Sequence, residues 1–267
     1  MEPLFLTDRA VLAVSGPEAR DFLQGLITND IAALRPGIGL YSALLSPQGK
    51  ILFDFFLAEG DGAVLIDCAL AARESLLKKL RQYRLRAKIE IEARGQLGVY
   101  AGLEGKAAAR AVTFADPRMA ALPARSIGAL AEMPQGLPGP ATYHAARLKL
   151  GVPEADDFGT EKIFALDGGL DELHAVSFDK GCYVGQELTA RMKHRATARK
   201  RPYLIAGAQT LPPPGAAIKD GDLEIGEIMA CDGANGLALV RLDRLEGARA
   251  PAAENIPVAL TRPAWLG

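Results

Sequence analysis

The last quarter of the chain breaks into short strand-like runs, and this pattern restricts the fold more than any other feature. The runs are separated by Gly, Pro, Asp and Asn, and they cover residues 203–208, 216–219, 224–231, 236–241 and 258–261. Short strands with frequent turns favour a small barrel, because a closed barrel leaves no strand edge exposed. We therefore predict a C-terminal β-barrel over residues 202–267.

The preceding region alternates strand-like and helical patterns. Strand-like runs occupy residues 9–14, 39–45, 50–58, 63–68 and 87–92. Apolar residues recur at helical spacing after Ser15, which can cap a helix, and again over residues 70–85 and 143–150. We predict an α+β region of mixed sheets with helices over residues 1–201. It has two sub-domains, with a boundary in the proline-rich stretch near residues 100–140.

Composition excludes several classes of protein. The chain has 267 residues, of which 49% are hydrophobic and 24% charged, as in an ordinary soluble globular protein. Its net charge of -1 provides no overall attraction to nucleic acid or to a membrane, so any polyanion site must be local. The N-terminal run is short and preceded by an acid, and no later run approaches membrane-spanning length. We expect neither a signal peptide nor a membrane partner.

The cysteines and histidines argue against a metal site or disulfide framework. Cys68, Cys182 and Cys231 are odd in number, widely spaced and without a Cys-x-x-Cys pair. This usage fits a reducing compartment, and we predict a cytoplasmic protein. The three histidines show no His-x-x-His spacing, so we expect no metal site made by this chain alone.

Residues 177–191 gather several functional groups around one thiol. Cys182 lies between Gly181 and Gly185, with Lys180 two residues before it. The glycines permit backbone angles that are closed to other residues, while Lys180 and the cations downstream favour the thiolate. Cys182 is the candidate reactive or ligand-binding sulfur, assisted by Lys180. The alternative is a glycine-punctuated turn with a bystander cysteine.

Two stretches are rich in cations. The first, around and after Cys182, spans an interval with only one acid, Glu187. Its basic residues are Lys180, Arg191, Lys193, His194, Arg195, Arg199, Lys200 and Arg201. It could bind a carboxylate, a phosphate-bearing partner or water. Only Tyr183 and Tyr203 lie nearby, so direct binding of nucleic acid is not expected. The predicted helix over residues 70–85 has a similar basic face, which is either solvated or a site for an anion or partner.

Asp54 interrupts an otherwise apolar strand. It follows Ile51-Leu52-Phe53 and precedes Phe55-Phe56-Leu57. A carboxylate there needs a partner or a wet cavity, unless it lies on the solvent face of an edge strand.

The segment Lys-Gly-Cys-Tyr-x-Gly-Gln-Glu, from Lys180 to Glu187, resembles the signature of the YgfZ-type folate-binding proteins. These are relatives of the glycine-cleavage T-protein, an aminomethyltransferase, and they act in iron-sulfur cluster assembly or repair. Residues 22–30 and 147–153 are also typical of the family. The resemblance implies a T-protein-like fold ending in a β-barrel, tetrahydrofolate or a one-carbon derivative as cofactor, and cluster assembly proteins or client enzymes as partners.

The resemblance also implies a folate site. Asp54 lies on a strand equivalent to one that carries a catalytic aspartate in the T-protein, so it could contact the pterin, and Glu161 could take the place of a folate-contacting glutamate. The remaining groups would come from Tyr183, Gln186, Glu187, Arg191 and Arg195, provided that the strand of Asp54 and the loop of Cys182 face one cavity.

Three functions are compatible with this sequence. The first is a folate-binding accessory factor for iron-sulfur cluster assembly in which Cys182 performs the thiol chemistry. The second is a folate-dependent one-carbon transferase in which Asp54 positions or protonates a folate nitrogen. The third is a folate sink in which Cys182 has no role.

Overall fold

The computed structural model describes residues 2–195 and 198–267. The α-helices in this part of the chain are α1 (Ala19–Gln24), α2 (Arg73–Arg84), α3 (Gly105–Ala108), α4 (Ala141–Lys149), α5 (Gln186–Arg195) and α6 (Leu242–Leu245). The strands are β1 (Leu4–Phe5), β2 (Arg9–Ser15), β3 (Leu40–Leu45), β4 (Ile51–Gly60), β5 (Ala63–Ala69), β6 (Glu90–Ala93), β7 (Leu97–Ala101), β8 (Ala111–Phe114), β9 (Arg125–Ala129), β10 (Lys200–Gly207), β11 (Ala217–Asp220), β12 (Leu223–Asp232), β13 (Asn235–Arg241), β14 (Pro251–Ala253) and β15 (Ile256–Thr261).

Two antiparallel sheets form the body of the molecule. One has five strands in the order β3-β4-β5-β2-β6, and the other has four in the order β1-β7-β9-β8. Side chains alternate along β4, so that Phe55 faces α1 and α2 while Phe56 faces the second sheet. The larger sheet is thereby buried on both faces, which explains why β2, β3 and β5 are almost continuously apolar.

The C-terminal strands close into a barrel in the order β10-β13-β12-β11-β14-β15. Its core is built from small and branched apolar residues, among them Ile205, Ile218, Ile228 and Val240. The predicted α+β fold with a C-terminal β-barrel is confirmed. The short strand β14 was not predicted because Pro-Ala-Ala carries no strand signal.

The last residues of the chain fasten the barrel to the body. Trp265 donates its indole N–H to the carbonyl oxygen of Leu150 at 3.1 Å, just beyond α4. Pro263 packs so closely on Gly151 that a β-carbon on Gly151 would lie 2.8 Å from the proline ring. The residues that follow α4, Leu150 and Gly151, are therefore the part of the body that contacts the C-terminal segment after the barrel.

The first helix begins later than predicted. Ser15 is the last residue of β2, where it pairs with Ala63 and Glu90, and it lies too far before the helix to cap it. The helix begins at Ala19 after Glu18, whose side chain makes no capping bond. Of the described residues, no helix is both long enough and apolar enough to cross a membrane.

Candidate functional site

The loop that carries Cys182 docks on the edge of the five-stranded sheet. Tyr183 is buried among residues on one face of the sheet, while Val184 packs with the apolar cluster on the other face. Gly185 adopts φ +83°, and a β-carbon there would lie 2.6 Å from the carbonyl oxygen of Ser46. The β3–β4 turn, at residues 46–49, is therefore the platform for this loop.

Lys180 anchors the other end of the loop. Its ammonium group donates to the carbonyl oxygens of Gln24, Ile27 and Asn29 at 2.8, 2.7 and 2.8 Å. These carbonyls lie at and just beyond the end of α1, where helices leave acceptors unsatisfied. Burial lowers the pKa of Lys180 to about 8. The structure gives Lys180 an anchoring role, and its part in the chemistry of Cys182 stays a prediction.

The anchored loop exposes the thiol of Cys182. Cys182 is exposed, whereas Cys68 is buried and Cys231 is partly buried. Burial raises the pKa of Cys68 to about 12 and also raises the pKa of Cys231, whose thiol faces the carbonyl oxygen of Pro212 at 3.6 Å. Of the three cysteines, Cys182 alone is presented to solvent.

Helix α5 follows the loop and presents a charged face to solvent. Arg191 lies 3.5 Å from Glu187, and Lys193 lies 3.0 Å from the carboxylate of Asp171. Arg195 is also exposed, and Gln186 is partly buried at the start of the helix. Within residues 2–195 and 198–267, no group of three or more His, Cys, Asp or Glu side chains is arranged to hold a metal ion.

A second polar region is buried between the two sheets. Asp67 on β5 is fully buried and accepts from two arginines: Arg9 at 2.7 Å and Arg125 at 2.6 Å. Arg9 also contacts Glu154 at 3.0 Å. These residues come from β2, β5, β9 and the segment after α4, so the network joins both sheets to that segment.

The network continues through Arg118 and Tyr143. Arg118 contacts Asp116 at 2.8 Å and Glu154 at 2.7 Å. The hydroxyl of Tyr143 donates to Glu154 at 2.7 Å. Burial opposes ionisation of Glu154, but the surrounding arginines, Arg118 first, hold its pKa well below the usual range.

Asp54 lies at the edge of this network. Its carboxylate accepts from the hydroxyl of Tyr41 at 2.9 Å and from the backbone N–H of Ala155 at 3.1 Å. Burial raises the pKa of Asp54, and the charge of Glu154 adds to the shift while Arg9 opposes it. The side chain is 5% exposed, so the alternative of a solvent-facing edge strand is wrong.

Two cavities lie beside this network. The cavity that touches Asp54 has a volume of only about 50 Å³. The larger one, here called the Arg9 cleft, has a volume of about 510 Å³ and is lined by Asp8, Arg9, Ala69, Leu70, Ala71, His144, Arg147, Glu154, Ala155, Asp156 and Asp157. The two share Ala69, Ala155 and Asp156. Of these two cavities, the Arg9 cleft has the size typical of a ligand pocket, about 300–1,000 Å³.

The structure does not bring the predicted folate residues to one cavity. No residue from Tyr183 to Arg195 lines the Arg9 cleft or the cavity beside Asp54. Glu161 is exposed, and its backbone N–H donates to the carbonyl oxygen of Ile51 at 2.8 Å. The folate roles of Asp54, Glu161 and the Cys182 loop stay predictions.

The buried network of Arg9, Asp67, Arg118, Arg125 and Glu154 was not predicted from the sequence. Asp67 carried the same signal as Asp54, a carboxylate inside an apolar strand. The arginines carried none, because single arginines are mostly exposed.

Comparisons with known proteins agree with this architecture. The family model of the CAF17 C-terminal beta-barrel domain matches residues 199–267. The solved structure of glycine cleavage system aminomethyltransferase T from Bartonella henselae aligns with a TM-score of 0.74 at 16% identity. It covers 98% of this chain and 85% of that chain. The fold is therefore that of the aminomethyltransferase T protein, as predicted.

Sequence relatives narrow this class to one family. The Homo sapiens iron-sulfur cluster assembly factor IBA57, mitochondrial, is 32% identical over 97% of this chain and 84% of its own length. The Mus musculus protein of the same name is 31% identical over 91% of this chain and 78% of its own length. The chain belongs to the IBA57-type iron-sulfur cluster assembly factors. The more specific YgfZ-type assignment is not confirmed.

The comparisons also correct the predicted compartment. Both relatives are named as mitochondrial proteins, so the prediction of a cytoplasmic protein is wrong. It rested on unpaired cysteines, which indicate a reducing environment and do not distinguish one reducing compartment from another.

Proposed function

We propose that this protein serves iron-sulfur cluster assembly by presenting the thiol of Cys182 to a cluster carried by another protein. The observation that carries this proposal is the exposure of Cys182 on a loop held at both ends by buried contacts, Lys180 on one side and Gly185 on the other. Because the loop is already held in one conformation, little conformational entropy is lost when the thiol binds a cluster.

The chemistry follows from the ligands that are present. Thiolates are the usual protein ligands of iron in these clusters, and four are needed for a complete set. This chain supplies one thiolate ligand at its surface, that of Cys182. Cys182 therefore acts as a single ligand during transfer of the cluster, with the remaining ligands coming from the partner. The cluster is cargo in this scheme.

The test uses cells that lack the gene and measures the activity of several [4Fe-4S] enzymes. Cys182→Ser should fail to restore these activities, and Cys231→Ser is the matched control that should restore them, because Cys231 is turned toward Pro212. Full rescue by Cys182→Ser would overturn the thiol proposal. Rescue must be compared at equal protein abundance, measured by immunoblot.

For tetrahydrofolate we infer a site in the Arg9 cleft, whose lining fits the pterin ring. Nothing among the described residues hydrogen-bonds to the buried Oδ1 of Asp8, which can accept an N–H from the ring. The cleft does not fit the glutamate tail equally well, because Arg9 and Arg147 are already paired with acids. The tail would extend into solvent. Tetrahydrofolate would supply one-carbon chemistry when bound.

This ligand is tested by heating the full chain with and without saturating tetrahydrofolate. Binding to the folded state raises the melting temperature. Asp8→Asn should reduce the shift, while Cys182→Ser should leave it intact. Absence of any shift would refute the folate site. Cellular rescue by Cys182→Ser combined with failure of Asp54→Asn would instead favour the folate-dependent one-carbon transferase.

A further inference from the structure

The tip of α2 combines an exposed leucine with unpaired cations. Leu85 is 89% exposed, far more than Ile38, which at 51% is the next most exposed large apolar residue among the described residues. It directly follows the helix and adopts φ +46°, ψ −108°, a conformation that disfavours any side chain. Both neighbours, Arg84 and Arg86, are exposed. A bulky apolar residue in a strained, solvated position indicates a role outside the fold.

The cations around Leu85 lack acidic partners. Within the described part of the chain, no carboxylate lies within 4.0 Å of the side-chain charge of Lys78, Arg84, Arg86 or Lys88. The carboxylate of Glu18 accepts only the backbone N–H of Lys88, at 3.2 Å. The nearest acid on the helix, Glu74, is paired with Arg73 at 2.9 Å. The opposite side of α2 is fixed against the sheet by Leu76 and Leu80, so the cations point away from the body.

Contrary to the expectation from composition that the protein has no membrane partner, we propose that this basic tip, residues 78–88, binds the surface of an anionic membrane, with Leu85 inserted below the headgroups. A protein partner would need an apolar interface core with few charges. Leu85 is instead flanked in the chain by the exposed Arg84 and Arg86, and the nearby apolar residues Tyr83 and Ala87 are partly buried. A lipid surface accepts this arrangement, because cations contact headgroup phosphates while one apolar side chain reaches the acyl boundary. The proposal is independent of Cys182 and of folate.

Sedimentation with vesicles tests it on the full chain. Vesicles of phosphatidylcholine containing about 30% phosphatidylserine should bind the protein in low salt, and pure phosphatidylcholine should not. Raising the salt to about 0.5 M should release it, because surface charges are then screened. Failure to bind the anionic vesicles in low salt overturns the proposal.

Matched variants locate the contact. Arg86→Glu changes the charge of the tip by two units. It should weaken binding to the anionic vesicles by at least about fivefold for each unit. Lys219→Glu, on the barrel, makes the same charge change and should have little effect. Leu85→Gly should weaken binding about tenfold or more without loss of stability, since Gly accepts this backbone. Leu223→Ser removes an exposed leucine elsewhere and should bind normally. Equal losses in control and tip variants would overturn the proposal.

Discussion

Gly185 packs against the carbonyl oxygen of Ser46 so closely that a β-carbon at Gly185 would lie 2.6 Å from it. Its φ of +83° adds a second restriction, since side chains rarely adopt this backbone. Gly181, in the same loop, has open space around its α-carbon and no positive φ. Of the two predicted motif glycines, the structure requires only Gly185.

This difference predicts that alanine substitution lowers the stability of the protein strongly at Gly185 and hardly at all at Gly181. Gly185→Ala should lower the free energy of unfolding by about 2–3 kcal/mol and displace the Cys182 loop from its platform. Gly181→Ala should change it by less than about 0.5 kcal/mol. Urea denaturation monitored by fluorescence measures both. Equal effects of the two substitutions would contradict the docking described for this loop.

The three cysteines should react with iodoacetamide in a fixed order. Cys182 is exposed and should be alkylated first, and Cys231 should follow slowly because burial raises its pKa. Cys68 is fully buried with a pKa of about 12, so it should react only after unfolding. Mass spectrometry of peptides after timed labelling near pH 7.5 measures the order. Labelling of Cys68 in the folded protein at the rate of Cys182 would refute this assignment.

Arg125 should be a strong determinant of stability. Its guanidinium donates to Asp67 at 2.6 Å and 2.9 Å, to Tyr143 at 2.7 Å, and lies 3.9 Å from the ring centre of Phe56. Arg125→Met would leave buried groups of Asp67 and Tyr143 without this partner. We expect a loss of about 3–5 kcal/mol in urea denaturation.

The control for Arg125 is an exposed cation. Lys219→Met removes one positive charge from the barrel surface and should cost less than about 0.5 kcal/mol. A comparable loss in both variants would indicate that the buried network contributes nothing specific to stability.

Most strands of the barrel could be predicted from the sequence because they are separated by turn residues, whose effect on the backbone depends only on their own local preferences. Residues 236–241 were expected as a strand and form the core of β13. The strand β14 was missed since its pairing with β11 and β15 comes from tertiary contacts alone. Local chemistry is thus sufficient where each strand is bounded by Gly, Pro or Asp, and insufficient where a neighbour imposes the conformation.

The site was predicted only in part, for a similar reason. The motif around Cys182 is contiguous, so its thiol could be singled out from the sequence. The role of Lys180 could not, because its acceptors belong to Gln24, Ile27 and Asn29, about 150 residues earlier. The network of Asp67 and Arg125 likewise joins residues that are separated by 58 positions.

Glu172 should make stability depend on pH. Burial raises its pKa to about 7 from an ordinary value of 4.5, helped by the hydrogen bond with Asp171 and by the charge of that neighbour, while Arg201 opposes the shift. The folded state therefore binds this proton more tightly than the unfolded state. The stabilisation is fully present below about pH 4.5 and is lost as the pH rises through about 7.

Glu172→Gln should remove that dependence, because the amide keeps a donor toward Asp171 and does not titrate. We expect the free energy of unfolding of the wild type to fall by about 1–2 kcal/mol between about pH 5 and pH 8, and that of the variant to fall by less. Urea denaturation at closely spaced pH values measures the difference. Glu161→Gln, at an exposed carboxylate, is the matched control and should follow the wild type. Parallel curves for wild type and Glu172→Gln would show that the proton shared with Asp171 does not contribute.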